Sequence, residues 1–204
     1  MPTLYYSPGA CSLAPHIALR EAGLEFALEQ VDLKTRRTKN GADFTQVNPK
    51  GQVPTLRLDD GAILTEVPAV LQYIADRRPE SGLAPRAGSF ERYRLQEWLN
   101  FVTSELHKGF APLFQADTPP EYAEIVKRRL AERFTYLEGQ LADGRPYLLG
   151  EGFTVADAYA FTVVSWSRYV KLDLAPWPKL QAYLGRVGAR AKVQEALRTE
   201  GLVK

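Results

Sequence analysis

The stretch PESGLAPRAGS, residues 79–89, separates two parts of this chain that are patterned in different ways. It is rich in Pro, Gly and Ser and has no apolar periodicity, as expected of an exposed connection between domains. Before it, short β-like runs alternate with helical ones. After it, only helical patterning remains. That contrast restricts the fold to a small α/β domain followed by an all-helical one.

In the first part, TLYY (3–6) reads as a strand, and SLAPHIALREAG (12–23) reads as a helix stopped by Gly23. Pro15 fits the first turn if Ser12 is the cap, because the N–H it lacks has no intrahelical partner there. EFALEQVDL (25–33) is a second strand, followed by a polar segment to Asn48. VPTLRLDDGAILT (53–65) has the signature of a hairpin: Asp60-Gly61 favours a turn in which both central residues take positive φ. EVPAVLQYIADRR (66–78) is helical again, which makes the order β-α-β, then β-β-α. Beyond the connection, helices are expected over roughly 90–111, 119–142, 154–170 and 178–199, the last broken near Gly188.

Composition narrows the function classes. The 26 Lys and Arg nearly balance 24 Asp and Glu, so no strong field points to nucleic acid. No apolar run approaches the roughly 20 residues that span a bilayer, and the first residues lack the pattern of a secretion signal. The expectation is a cytoplasmic protein. One cysteine excludes an intramolecular disulfide and a cysteine-rich metal site, and two histidines far apart in sequence make a weak case for zinc.

That one cysteine lies in YYSPGACSLAPH, at a strand-to-helix turn. The unpaired N–H groups and positive end of the helix favour a thiolate and lower the pKa from about 8.5. A free cysteine is equally at home as a small buried residue. The Ser-Pro-Gly ahead of it favours exposure of Cys11, since a tight turn commonly presents what it carries.

Other residues stand out by spacing. In ERYRLQEWLNFVTSELHKGF (91–110), Trp98, Phe101, Val102 and Leu106 make a core stripe. Asn100, Ser104 and His107, four and three apart, align on another face, either a partly exposed polar stripe or a polar cleft, which Asn, Ser and His suit better than open solvent. Glu66 opens a helix, where an acid complements the dipole. KTRRTK (34–39) reads mostly as a solvated surface. Thr154 to Asp157 form a capping box that serves stability. Tyr5, Tyr6 and Ser12 sit near the cysteine as packing residues or activators, and His16 has no assigned role. Trp166 and Tyr169 face either a cleft or the core.

SPGACSLAPHIALRE, VNPKGQVPTL, LTE, EWLNFVTSELHKGF and FTVADAYAF occur in the order and spacing of bacterial beta-class glutathione transferases, which the chain resembles over essentially its whole length. The resemblance implies a thioredoxin-like glutathione-binding domain (1–80), a linker (81–89) and an all-helical domain (90–204) that contributes the hydrophobic substrate site. It also implies a homodimer, with glutathione as co-substrate and no metal. The implied activity is conjugation of glutathione to small hydrophobic electrophiles, with thiol-disulfide or peroxide-reducing activity through a mixed disulfide at Cys11. Glutathione-dependent isomerisation or dehalogenation of a catabolic intermediate, or a non-catalytic binding or regulatory role, are the alternatives on the same fold.

The resemblance also assigns residues. Cys11 lies beside the glutathione sulfur, with His107 as a hydrogen-bond donor and Lys108 as a positive charge nearby. A cis peptide bond at Val53-Pro54 presents the Val53 backbone to the peptide-like middle of glutathione. Glu66 takes the glutamyl ammonium, and N–H groups at the same helix start, including that of Val67, take its carboxylate. Arg36 and Gln52 lie near the glycyl end. Asn100 and Ser104 are second-line contacts, Ser104 across a dimer interface. Many relatives carry Ser where this chain has Val67; losing that donor costs roughly 1.5–3 kcal/mol where nothing replaces it.

Overall fold

In the computed structural model, which describes every residue from Met1 to Lys204, the first part of the chain forms five strands. They are β1 (Thr3–Tyr6), β2 (Ala27–Asp32), β3 (Arg37–Thr38), β4 (Thr55–Arg57) and β5 (Ile63–Thr65), in one sheet of order β3-β2-β1-β4-β5. β1 and β2 are parallel, with Thr3 opposite Ala27 and Tyr6 opposite Gln30. A parallel pair needs a crossover, and helix α1 (Leu13–Glu21) supplies it. β4 runs antiparallel to β1 and β5 antiparallel to β4, and helix α2 (Val67–Arg77) follows.

Both sheet faces are covered, which explains why Leu4, Tyr5 and Tyr6 are all buried despite pointing alternately to opposite sides. On one face Tyr5 packs with Val31, Phe44 and Val53, and its ring lies 5.4 Å from that of Phe44. α1 and α2 pack together, burying Ile17, Leu71 and Ile74 completely. Each such side chain contributes about 1.5–3 kcal/mol.

The chain divides into two compact units, Met1–Ala84 with Arg190–Lys204, and Pro85–Ala189. The helical domain expected over 90–204 therefore ends as a unit at Ala189. Its last helix, α8 (Ala191–Thr199), packs against α1 instead. Within the expected linker, Leu83 is buried and the carbonyl of Pro85 accepts a hydrogen bond from Arg92 at 2.8 Å. Neither end of that connection behaves as open chain.

The second unit contains α3 (Phe90–Phe101), α4 (Lys108–Phe110), α5 (Pro120–Gln140), α6 (Val155–Val164) and α7 (Pro178–Gly188). The expected continuous helix over 90–111 is interrupted: Val102–His107 is a π turn, and the Lys108 N–H reaches back five residues to the Thr103 carbonyl. Every residue of α6 is buried, including the polar Asp157 and Thr162 within an otherwise largely apolar sequence. The capping box is present at its start. Asp157 accepts from the Thr154 N–H at 2.8 Å and hydroxyl at 2.9 Å, from the Leu148 N–H at 2.8 Å and from the Tyr183 hydroxyl at 3.0 Å. Burial pushes the Asp157 carboxyl above its ordinary range, and these donors pull it back.

The hairpin turn also differs from expectation. Only Gly61 takes positive φ, at 86°, while Leu58 and Ala62 pair across a three-residue loop. The Gly61 N–H closes a turn onto the Leu58 carbonyl. One left-handed residue is enough for this longer loop, so Asp60 needs no positive φ.

Candidate active site

The turn after β1 is closed by Ser12, whose hydroxyl accepts the Ser7 N–H at 3.1 Å and donates to the Ser7 carbonyl at 3.3 Å. Ser12 therefore serves the turn and makes no side-chain cap to α1. Cys11 precedes it, and its thiol donates to the Val53 carbonyl at 3.2 Å. Cys11 is only 9% exposed, against the expectation that the turn would present it. The reason lies in that carbonyl, 42 residues away, which draws the side chain inward. The Leu13 and Ala14 N–H groups are already bonded to the carbonyls of Ala10 and Cys11, so the first turn has fewer open donors than the sequence suggests.

The Val53-Pro54 peptide bond is cis, as the resemblance implied. The loop before it is held by Asn48, buried, whose amide donates to the Gln52 carbonyl at 2.8 Å and the Thr55 hydroxyl at 2.9 Å. Sequence reasoning passed over Asn48, although its place ahead of Pro49 in a Gly-containing loop was a usable turn signal. Gly51 takes φ 62°, and a Cβ there would come within 3.0 Å of Arg36 Cδ. The bare glycine lets Arg36 cross the loop next to Gln52, and Arg36 itself takes φ 54°.

Glu66 takes φ 70° and ψ 122°, a conformation that costs about 1–3 kcal/mol for a residue with a Cβ. Strain of this kind is found where the surroundings require a side chain in one place. The carboxylate makes no cap to α2; it is met by Lys50 Nζ at 2.5 Å, which also donates to the Thr65 hydroxyl at 2.8 Å. Lys50 is the second residue the sequence reading missed. Val67 is buried and Pro68 has no N–H, which leaves the Val67 and Ala69 N–H groups as first-turn donors of α2.

In the second unit the expected row of Asn100, Ser104 and His107 does not form. Asn100, Ser104 and Lys108 are exposed, while His107 turns into an aromatic cluster. The π turn explains the difference, because its wider winding sets each later residue back around the axis. His107 Nδ1 is 2.7 Å from the Tyr159 hydroxyl, and its ring meets Tyr159 and Trp166 edge-on, the latter at 5.0 Å. Trp166 continues the cluster to Phe110 and Phe114. Two hydroxyls serve backbone carbonyls beside the π turn: Thr103 donates to Leu99 at 2.7 Å and Ser104 to Asn100 at 3.0 Å. Tyr159, which holds His107, was not singled out from sequence; a tyrosine inside the apolar run ADAYAF was its only sign.

The rival activators near Cys11 are poorly suited. Burial, then the charge of Glu200, raises the Tyr6 hydroxyl above its usual range and keeps it protonated. Ser12 is fully buried and tied to Ser7. Trp166 is buried and Tyr169 is exposed under Arg168. No group of three or more His, Cys, Asp or Glu side chains has the arrangement of a metal site, and no helix is long and apolar enough to cross a membrane.

Sequence models of the glutathione S-transferase N-terminal and C-terminal domains match residues 9–77 and 101–191. The chain is 49% identical over 199 residues to glutathione S-transferase GstA of Escherichia coli O157:H7, covering 98% of each sequence. A ternary complex of BphK, a bacterial GST, superposes with a TM-score of 0.96 at 58% identity, over 98% of this chain and 100% of that one. The bacterial beta-class enzyme of Sphingomonas chungbukensis superposes with a TM-score of 0.95 at 47% identity, over 98% of this chain and 100% of the other.

Proposed function

The chain belongs to the glutathione S-transferase family, in its bacterial beta class, and on that premise we propose that it joins reduced glutathione to small hydrophobic electrophiles and exchanges disulfides through Cys11. The observation that carries this reading is the Cys11 thiol held 3.2 Å from the Val53 carbonyl at a cis proline. The same backbone offers an edge for the middle of glutathione. Glu66 receives the glutamyl ammonium and releases Lys50 in exchange, while the Val67 and Ala69 N–H groups receive the carboxylate. Arg36 and Gln52 take the glycyl end.

In conjugation, the glutathione thiolate attacks the acceptor and its leaving group departs with the bonding pair; the thiol proton has already gone to solvent. In exchange, the Cys11 thiolate attacks one sulfur of oxidised glutathione, the S–S bond breaks, and the second glutathione leaves as thiolate. The resemblance makes His107 and Lys108 the thiolate-stabilising groups, and here His107 is oriented by Tyr159. The aromatic surface of Phe114 and Trp166 takes the apolar acceptor. Asn100 and Ser104 act as second-line contacts in a homodimer whose interface uses the exposed Phe90 and Tyr93 of α3 and Tyr136 of α5.

The test is intact mass after incubation with oxidised glutathione. One adduct per chain is expected, removed by reductant and absent in Cys11→Ala, with glutathione binding largely retained in that variant. No adduct, together with a thiol inert to a small alkylating reagent, would overturn the role of Cys11.

A further inference from the structure

Two buried ionisable side chains in the first unit are unused by the chemistry above. His16 lies on α1 and Glu200 one residue beyond α8, and both side chains are fully buried. His16 Nδ1 is 2.8 Å from Glu200 Oε1, and its Nε2 accepts from Arg20 Nε at 2.9 Å. Because Arg20 can only donate, Nε2 carries the lone pair and Nδ1 carries the proton. The imidazole is therefore neutral and donates to the Glu200 carboxylate. Glu200 Oε2 accepts the Gly9 N–H at 2.9 Å, two residues before Cys11.

We propose that Glu200 is a positioning residue for Cys11: the end of the chain returns to fix the turn that carries the thiol. The proposal rests on the reading of Cys11 as the reactive group. The remaining contacts between α8 and α1 brace the helix rather than the turn. Arg190 forks onto Glu21 at 2.7 and 2.8 Å, and Arg20 meets Glu195 at 3.4 Å and Thr199 at 2.9 Å. Of the bonds named here, the one from Glu200 reaches the turn itself.

The chemistry of the network makes a carboxylate necessary. An amide at position 200 has one acceptor oxygen. If that oxygen keeps Gly9, the amide NH₂ faces the Nδ1 proton; flipping the His16 tautomer to relieve this sets the Nε2 proton against Arg20. Glu200→Gln thus keeps either Gly9 or His16.

The test compares Glu200→Gln with Glu195→Gln, which removes a contact between α8 and α1 without touching the turn. The readouts are melting temperature, the rate of Cys11 alkylation by iodoacetamide, and kcat and KM for glutathione. Glu200→Gln is expected to raise the alkylation rate about fivefold or more as Cys11 leaves Val53. It should lower kcat about tenfold with KM little changed. Glu195→Gln should match the parent in both rates. If both variants merely melt earlier and alkylate at the parent rate, Glu200 is structural only and the proposal fails. Should Glu200→Gln not fold, Glu200→Asp, a carboxylate one methylene short, is measured in the same way. An absent glutathione adduct in the parent protein would sink the role of Cys11, whereas the ratio of alkylation rates still decides that of Glu200.

Discussion

The turn carrying Cys11 and the turn carrying His107 are built in different ways. The first relies on backbone features with a residue signature: Ser-Pro-Gly, a cis proline, a bare glycine under Arg36, and a strained Glu66 at a helix start. The second relies on a π turn whose winding places His107 among Tyr159 and Trp166. Backbone devices need particular residues at particular places, so they survive as motifs. Side-chain periodicity assumes a regular helix, and one wide turn defeats it.

This contrast predicts that damage in the helical unit lowers stability, whereas damage around glutathione lowers binding and leaves the fold intact. The largest effect is expected for Asp157→Ala, which leaves four buried donors without their carboxylate. A loss of about 3–5 kcal/mol should appear in urea denaturation. Next comes Glu66→Ala. Calorimetry should show glutathione binding weakened about thirtyfold, the equivalent of about 2 kcal/mol in a charge-assisted bond. Its melting temperature should hardly move, because the Glu66 side chain is 69% exposed.

Tyr159→Phe sharpens the comparison by touching both sides. Deleting its hydroxyl should slow conjugation about fivefold, the equivalent of about 1 kcal/mol, while glutathione binding stays near the parent value. A change in binding with no change in rate would place His107 outside the chemistry. The smallest effect is expected at Asp143, whose carboxyl the Arg145 guanidinium holds at about 2. A depressed folded pKa means the pair contributes fully above the ordinary value of 3.8 and is lost as pH falls through about 2. The pair is at the surface, so Asp143→Asn should lower the melting temperature only slightly at neutral pH, salt should erase that difference, and none should remain below about pH 2.

The cis bond at Val53-Pro54 and the helix start at Glu66 were legible through the family resemblance and the residue pattern, because loop and helix-end residues have positions of their own in any fold that accepts them. His107 was legible as a residue but not as a direction. Its row with Asn100 and Ser104 assumed 3.6 residues per turn, whereas Asn100, Ser104 and Lys108 are exposed and His107 is not. His16 drew no role from the sequence because nothing within a helical turn of it announces Glu200.

By itself the sequence determined the two-part architecture, four of the five strands, most of the helices and the capping box at Thr154–Asp157. These depend on interactions within a few residues, where residue type and spacing carry the physics. Only the tertiary structure decided that Cys11 lies buried against Val53, that the helix at residue 102 widens, and that the last fifteen residues return to the first unit. The first and the last of these are set by partners distant in sequence, as in the bond between His16 and Glu200 across 184 residues. No local pattern encodes such a partner, because burial exists only once the chain has closed on itself.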